Sequence, residues 1–411
     1  MDDLIRLLNL LAERSAAKAE ADPPLAVATV VNTRGSAYRR PGARMLVRRS
    51  LAVSGAVSAG CLERDIIARC EGMQPGDPPL LLTYDGSSPD ELVFGLKLGC
   101  DGVVQILVEP VGDLQKFESL AAQLPALLAE HHRVAAVTLF DLAPCTGHLA
   151  SPEISALTGL VMVETGLQTQ KLVDLPDSIA DLLAREARAA LLEGRQHSCV
   201  IRLEQDGYVV SALIEIVEPT TALLIFGSGQ DVQPLADMAA VLGWGVTVRS
   251  SSQVDRLDLA DLSEMVGHAP FSAAVVMSHD YDRDRKILQA LLSARAIKGG
   301  HRRLPYIGVV GPRRRSEKLL AELALAGVPL TDDELGRIYS PVGLDIGAER
   351  PEEIALSIVA EIKAVLAGHG GGLLRDKQGP IHQATRVKTS TNLDPLVNNS
   401  AVSISCGLDD V

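Results

Sequence analysis

Apolar residues recur at helical spacing through Leu4, Ile5, Leu7, Leu8, Leu10 and Leu11, which predicts an amphipathic helix over residues 2 to about 20, stopped by Pro23-Pro24. Leu25 to Val31 is a continuous apolar run and predicts a buried strand, with Met45 to Val47 and Val53 to Val57 as partners. Leu62 to Cys70 returns to helical spacing. Leu80 to Leu82 and Val103 to Val108 add strands, joined by the glycine-containing loop 94 to 102. These elements make one α/β unit over residues 1–110.

After a helical stretch from Phe117 to Leu128, residues 111–219 run through a similar order in weaker form. Val134 to Leu139 echoes Leu25 to Val30, and Leu160 to Val163 echoes Met45 to Val47. Ile179 to Glu193 stands for the helix after Cys61, and Tyr208 to Val217 with Glu218-Pro219 echoes Val103 to Val108 with Glu109-Pro110. One expectation is a degenerate repeat that keeps the strands and lacks the Arg-Gly-Ser loop and the Gly-Cys-Leu-Glu turn of the first copy; the other is the ordinary likeness of any two α/β segments.

Residues 220–369 change character. Leu223 to Phe226 is a strand, Gly227-Ser228-Gly229 a tight turn, Val232 to Leu242 a helix and Gly245 to Val248 the next strand. Alternation continues through Ala273 to Met277, Arg285 to Leu292, Ile307 to Val310 and Ser316 to Leu325, which predicts a Rossmann-like, doubly wound parallel sheet. The dinucleotide signature is incomplete: Gln233 stands where a third glycine belongs, and Ser250 follows the second strand where an acidic residue would hold a ribose. Residues 370–411 lack sustained periodicity and are expected to be a mobile tail.

Composition narrows the function classes. The 411 residues are 47% hydrophobic but only 3% aromatic, so the cores are aliphatic. A net charge of −13 argues against nucleic-acid or acidic-membrane binding, and no apolar run reaches the length of a membrane span. The acidic, amphipathic start is unlike a secretion signal, which predicts a cytoplasmic protein. Six scattered cysteines form no disulfide framework and no CxxC zinc pair.

The chemistry concentrates in residues 30–65. Glycines at 35, 42, 55 and 60 permit backbone conformations that other residues resist. Arg34, Arg39, Arg40 and Arg44 give an acidic chain a local basic loop suited to an anion, with Gly35 and Ser36 offering amides and a hydroxyl. Cys61 follows Gly60 and precedes a predicted helix, where the terminal partial charge favours thiolate; the bland alternative is a buried turn cysteine. Cys100 is the second candidate thiol. Glu63 is read as a cap or a charge balance in preference to a proton donor. His279 follows a strand at the carboxyl edge of the parallel sheet, and Arg313 opens a helix; either faces a ligand or merely solvent.

These residues fall into ordered motifs that resemble the XdhC/CoxI family of maturation factors for molybdenum hydroxylases such as xanthine dehydrogenase. In the first unit they are Thr33-Arg34-Gly35-Ser36, Arg40-Pro41-Gly42-Ala43-Arg44-Met45, Gly60-Cys61-Leu62-Glu63 and Leu98-Gly99-Cys100. In the last they are Leu224 to Gly229, Ser278-His279-Asp280, Tyr306 to Arg313, Ser340 to Ala348 and Pro351 to Ala355. The family usually has Gly-Gly-Cys where Ala59-Gly60-Cys61 stands, and Gly-Ala-Gly where Gly227-Ser228-Gly229 stands.

The resemblance implies a non-catalytic chaperone that binds the molybdenum cofactor (molybdopterin, in mononucleotide or dinucleotide form), protects it, supports its sulfuration by a cysteine desulfurase and inserts it into an apo-hydroxylase. Arg34, Gly35, Ser36, Arg40, Arg44, Gly60, Cys61, Glu63, Cys100, Gly227, Gly229, His279 and Arg313 become its expected contacts, with Cys61 and Cys100 touching molybdenum or transferring sulfur. A homodimer is the expected assembly. The competing expectation is an NAD(P)-linked oxidoreductase built on the Rossmann unit, in which His279 is the one evident hydride-transfer acid.

Overall fold

In the first strand, β1 (Pro24–Gly35), alternate side chains point to opposite faces and both faces are buried. Ala26, Ala28 and Val30 pack one way, and Val27 and Val31 the other. Such a strand needs a cover on each side. The computed structural model, which describes residues 3–12, 22–35, 37–86, 102–111, 115–131, 133–145, 157–193, 198–262, 272–293, 304–328, 330–378 and 386–390, supplies both.

β1 is the centre of a five-stranded antiparallel sheet with β2 (Arg44–Arg48), β3 (Val53–Gly55), β4 (Leu80–Asp85) and β5 (Gly102–Pro110), in the order β3-β2-β1-β5-β4. Helix α2 (Glu63–Cys70) buries Ile66 and Cys70 against the Ala26, Ala28 and Val30 face. The opposite face meets a second sheet, built from β6 (Val134–Pro144), β7 (Gly159–Glu164), β8 (Thr169–Lys171), β9 (Cys199–Gln205) and β10 (Tyr208–Val217). Val31 and Leu107 pack there on Phe140, Val200 and Leu213. The outer face of the second sheet is covered by α4 (Asp177–Leu192). Helices α1 (Asp3–Ala12) and α3 (Gln115–His131) pack on Val27 and Leu46 of the first sheet and Ala136 and Val163 of the second.

The two sheets share one topology. β8-β7-β6-β10-β9 repeats the order β3-β2-β1-β5-β4 strand for strand. Reciprocal contacts match the two halves: a Cβ on Gly42 would stand 2.6 Å from Glu215 Oε1, and one on Gly159 would collide with Glu109 Oε1. By that exchange Glu109 answers to Glu215, three positions before the Glu218 that the order of residues paired with it, because the offset is set by contacts between the halves and not by the length of the apolar runs. The halves expected as 1–110 and 111–219 fold onto a shared core, within one compact unit. Arg386–Thr389, inside the expected tail, forms β16, which pairs in parallel with Cys199–Arg202 of β9.

The second unit spans Thr220–Lys377. Its parallel strands β11 (Ala222–Phe226), β12 (Gly245–Arg249), β13 (Ala273–Val276), β14 (Tyr306–Val309) and β15 (Ile338–Tyr339) are ordered β12-β11-β13-β14-β15. Helices α5 (Val232–Val241) and α10 (Pro351–Leu366) cover one face, and α6 (Ser251–Arg256), α7 (Tyr281–Ser293) and α8 (Arg313–Leu325) the other. This is the doubly wound sheet that the alternation predicts. Short α9 (Asp332–Leu335) leads into β15. Among the described residues no helix is long and apolar enough to cross a membrane.

Candidate functional site

Between β3 and α2 the chain turns through Val57-Ser58-Ala59-Gly60-Cys61. Gly60 has φ +106, and a Cβ there would meet nothing within 4 Å, so the backbone conformation and not space requires glycine. The turn is held from within. The Glu63 carboxylate accepts from the main-chain N–H of Val57 at 3.1 Å and of Ser58 at 2.7 Å, and from the Ser58 hydroxyl. Ser58 Oγ in turn accepts from the N–H of Gly60 and of Leu62, each at 3.1 Å, which closes the turn just ahead of α2. Burial alone raises the Glu63 pKa, but the bonds from Ser58 and Val57 outweigh it and the net direction is down.

This scaffold presents one thiol. Cys61 is half-buried and free, with Sγ 3.4 Å from Ser58 Oγ. It opens on a cavity of about 320 Å³ lined by Tyr38, Arg39, Ser58, Tyr84 and Gly102, among others. Cys70, one helix further on, contrasts with it: fully buried, its pKa is pushed up to about 11 by burial, and it serves as packing. Tyr84 on the cavity wall donates to Asp65 at 2.6 Å, and burial raises its pKa. Register brings the end of β1 to the same rim, since Gly35 pairs with Gly102 and Arg34 with Val103. Arg34 and Gly35 are exposed there.

Arg39 lies at the junction of this cavity with two others, of about 330 Å³ and 280 Å³. Arg40 lines the former of that pair. Arg44 is different. Its side chain is 3% exposed and grips Glu215 of β10, 5% exposed, with both guanidinium nitrogens; Nη1 to Oε1 is 2.7 Å, and Nη1 also donates to the Gly42 carbonyl at 3.0 Å. An anion entering from solvent would have to displace a buried carboxylate from the guanidinium, so the Arg44 side chain joins the two sheets and only its main-chain N–H is left to face a ligand. Nothing in the sequence pairs a loop arginine with an acid 171 positions away.

Ser36 and Cys100 lie outside the described residues. Gly102, two positions after Cys100, lines the Cys61 cavity.

The remaining expected contacts lie on the Rossmann unit. A Cβ on Gly227 would stand 2.7 Å from the Met277 carbonyl, so this glycine lets β11 and β13 approach at their carboxyl ends. On Gly229 it would collide with Asp231 Oδ1. His279, at φ +58, bonds Asp231 Oδ2 through Nε2 at 2.8 Å. Ser250 and Gln253 form a capping box at α6, and Ser251 N–H donates to Ser228 Oγ at 2.8 Å. The amides beside the usual ribose position are thus bonded within the chain. Arg313 is 80% exposed and pairs with Glu317. Among the described residues no group of three His, Cys, Asp or Glu is placed to hold a metal ion.

Sequence reasoning missed Ser58, Tyr38 and Tyr84. Ser58 stands five positions before Glu63, outside the three-residue spacing of a capping box, so no local signal marked it. The tyrosines reach the cavity only through the tertiary fold.

A doubly wound unit joined to a Gly-Cys-Leu-Glu turn unit matches known proteins in both parts. Residues 223–362 match the XdhC Rossmann domain, and residues 19–85 match the XdhC and CoxI family. The chain is 30% identical over 349 residues to a probable xanthine dehydrogenase subunit of Bacillus subtilis (strain 168), covering 82% of this chain and 91% of that one. It belongs to the XdhC and CoxI family. It is 23% identical to the molybdenum cofactor insertion chaperone PaoD of Escherichia coli (strain K12), over 82% of each. The fold is similar to the crystal structure of a xanthine dehydrogenase from Bacillus halodurans, with TM-score 0.62 and 26% identity over 90% of this chain and 96% of that one.

Proposed function

We propose that this protein is a maturation chaperone that binds the molybdenum cofactor as cargo, shields it and inserts it into a molybdenum hydroxylase of the xanthine dehydrogenase type. The observation that carries the reading is the free Cys61 thiol opening on a cavity beside the Arg39 guanidinium, on a turn fixed by Glu63 and Ser58. The donor set fits the cargo: a thiol suits molybdenum or sulfur, a guanidinium suits phosphate, and about 320 Å³ lies in the range of small-molecule sites. Arg34, Gly35, Gly60 and Arg40 line or approach this region.

Sulfuration by a cysteine desulfurase would take place while the cargo is held, with Cys61 retaining it. The protein acts in the cytoplasm, as a homodimer, and does no chemistry of its own on the hydroxylase substrate. The Rossmann contacts Gly227, Gly229, His279 and Arg313 remain proposals for the nucleotide part of a dinucleotide cargo. The test is to purify the protein without oxygen from a cofactor-producing host and measure the fluorescent pterin released by acid oxidation. Near-stoichiometric pterin is expected from the native chain, and sharply less from Cys61→Ala.

A further inference from the structure

Arg39 is the most shared side chain of the candidate site, yet its charge is already answered. Asp3 of α1 places a single oxygen, Oδ2, against the Arg39 guanidinium and within 3.3 Å of the main-chain N–H of Arg44. A guanidinium and an amide converging on one oxyanion is the arrangement that holds phosphate. The surroundings favour an anion as well. Of the two cavities that Asp3 and Arg39 both line, one is lined also by Arg6 and Arg44 and the other by Arg40. The acids among their lining residues are Asp3 and Glu215, and Glu215 is bonded to Arg44. Asp3 is thus the one lining carboxylate on the Arg6 side, in a protein of net charge −13.

We propose that Arg39 and the Arg44 N–H form a phosphate subsite, which Asp3 fills in this structure and yields when a phosphate-bearing ligand enters. The pair is suited to exchange. Its side chains are 34% and 27% exposed, so the bond is partly hydrated, unlike the buried Arg44–Glu215 pair. α1 is a ten-residue helix that carries Asp3 in its first turn and is anchored in the core by Leu4, Leu7, Leu8 and Leu11, so the exchange is one of the Asp3 side chain and not of the helix. Because Arg39 also lines the Cys61 cavity, a phosphate here would lie beside a thiol that contacts the rest of the ligand. The ligand's identity as a phosphorylated pterin rests on the function proposed above; the subsite does not.

The probe is inorganic pyrophosphate, titrated calorimetrically into the full chain at fixed ionic strength. Asp3→Asn removes the competing charge and is expected to tighten binding about five-fold, the equivalent of a partly exposed ion pair. Arg39→Gln is expected to abolish saturable binding. Glu71→Gln, an exposed residue at the end of α2, removes the same charge elsewhere and is expected to leave affinity unchanged. Equal gains from Asp3→Asn and Glu71→Gln would reduce the effect to net charge and overturn the subsite, as would unaltered binding in Arg39→Gln. Circular dichroism of each variant separates lost folding from lost binding. Pterin release, measured on the same variants, reads the proposed cargo independently: pyrophosphate binding without pterin retains the subsite and removes the cargo, and the reverse outcome does the opposite.

Discussion

The Arg44–Glu215 pair ties the two sheets together, and removing one partner gives the sharpest stability prediction. Both side chains are almost fully buried, and the Nη1 to Oε1 bond measures 2.7 Å. With charge centres about 4 Å apart at an effective dielectric constant near 20, the attraction is roughly 4 kcal/mol, much of it offset by desolvation of both ions. Glu215→Ala removes the attraction but leaves Arg44 buried, so the expected loss is about 3–5 kcal/mol. Trp244, the only tryptophan, packs in the Rossmann unit, so its fluorescence follows that unit while far-UV circular dichroism follows the whole chain. In urea, the dichroism transition of Glu215→Ala should move to lower denaturant and the Trp244 transition should move less. The double change Arg44→Met with Glu215→Leu, which removes both ions, should recover most of the loss. A Glu215→Ala transition within about 1 kcal/mol of the native one would refute the assignment of Arg44 to the sheet interface.

Other expectations follow from the same geometry. Gly42 has φ +100 and its Cβ position lies 2.6 Å from Glu215 Oε1, so Gly42→Ala should cost about 1–3 kcal/mol in the same urea experiment. Cys61→Ala removes one weak thiol contact and should leave the urea midpoint nearly unchanged while pterin retention falls; equal loss of both would make Cys61 a packing residue. Glu63 has a lowered pKa in the folded chain, so its support of the 57–60 turn is complete above the ordinary glutamate range and is lost as pH falls through the lower folded value. Hydrogen exchange at the Ser58 amide should accelerate on that acid side, and Glu63→Gln should abolish the pH dependence. Calorimetric titration with NAD(H) or NADP(H) should give no saturable heat, because the α6 amides are bonded to Ser228 and Ser250 and no acid follows β12; tight binding would revive the oxidoreductase reading.

How far the sequence carried the fold depended on period. The parallel strands of the Rossmann unit are continuous apolar runs flanked by helices of period 3.6, and these were legible from Leu223 to Leu325. β9 and β16 were not, since Cys199–Gln205 mixes charged and apolar positions and Arg386–Thr389 is an edge strand four residues long. The shared sheet order supports the proposed repeat, and the match of Glu109 with Glu215 rests on contacts with Gly159 and Gly42 that no local pattern shows. Cys61 and its turn could be found because glycine, cysteine and a first-turn glutamate are local signals. The fates of Arg39 and Arg44 could not: two arginines of one loop differ only in what the distant Asp3 and Glu215 do with them.

The central claim is that the Cys61 cavity holds a molybdenum pterin, and one measurement addresses it most directly. The protein is purified anaerobically from a host supplied with molybdate and competent in cofactor synthesis, then oxidised in acid and assayed for fluorescent pterin alongside Cys61→Ala. Near-stoichiometric pterin from the native chain and a marked loss in the variant are predicted. Absence of pterin from the native chain under those conditions would contradict the account.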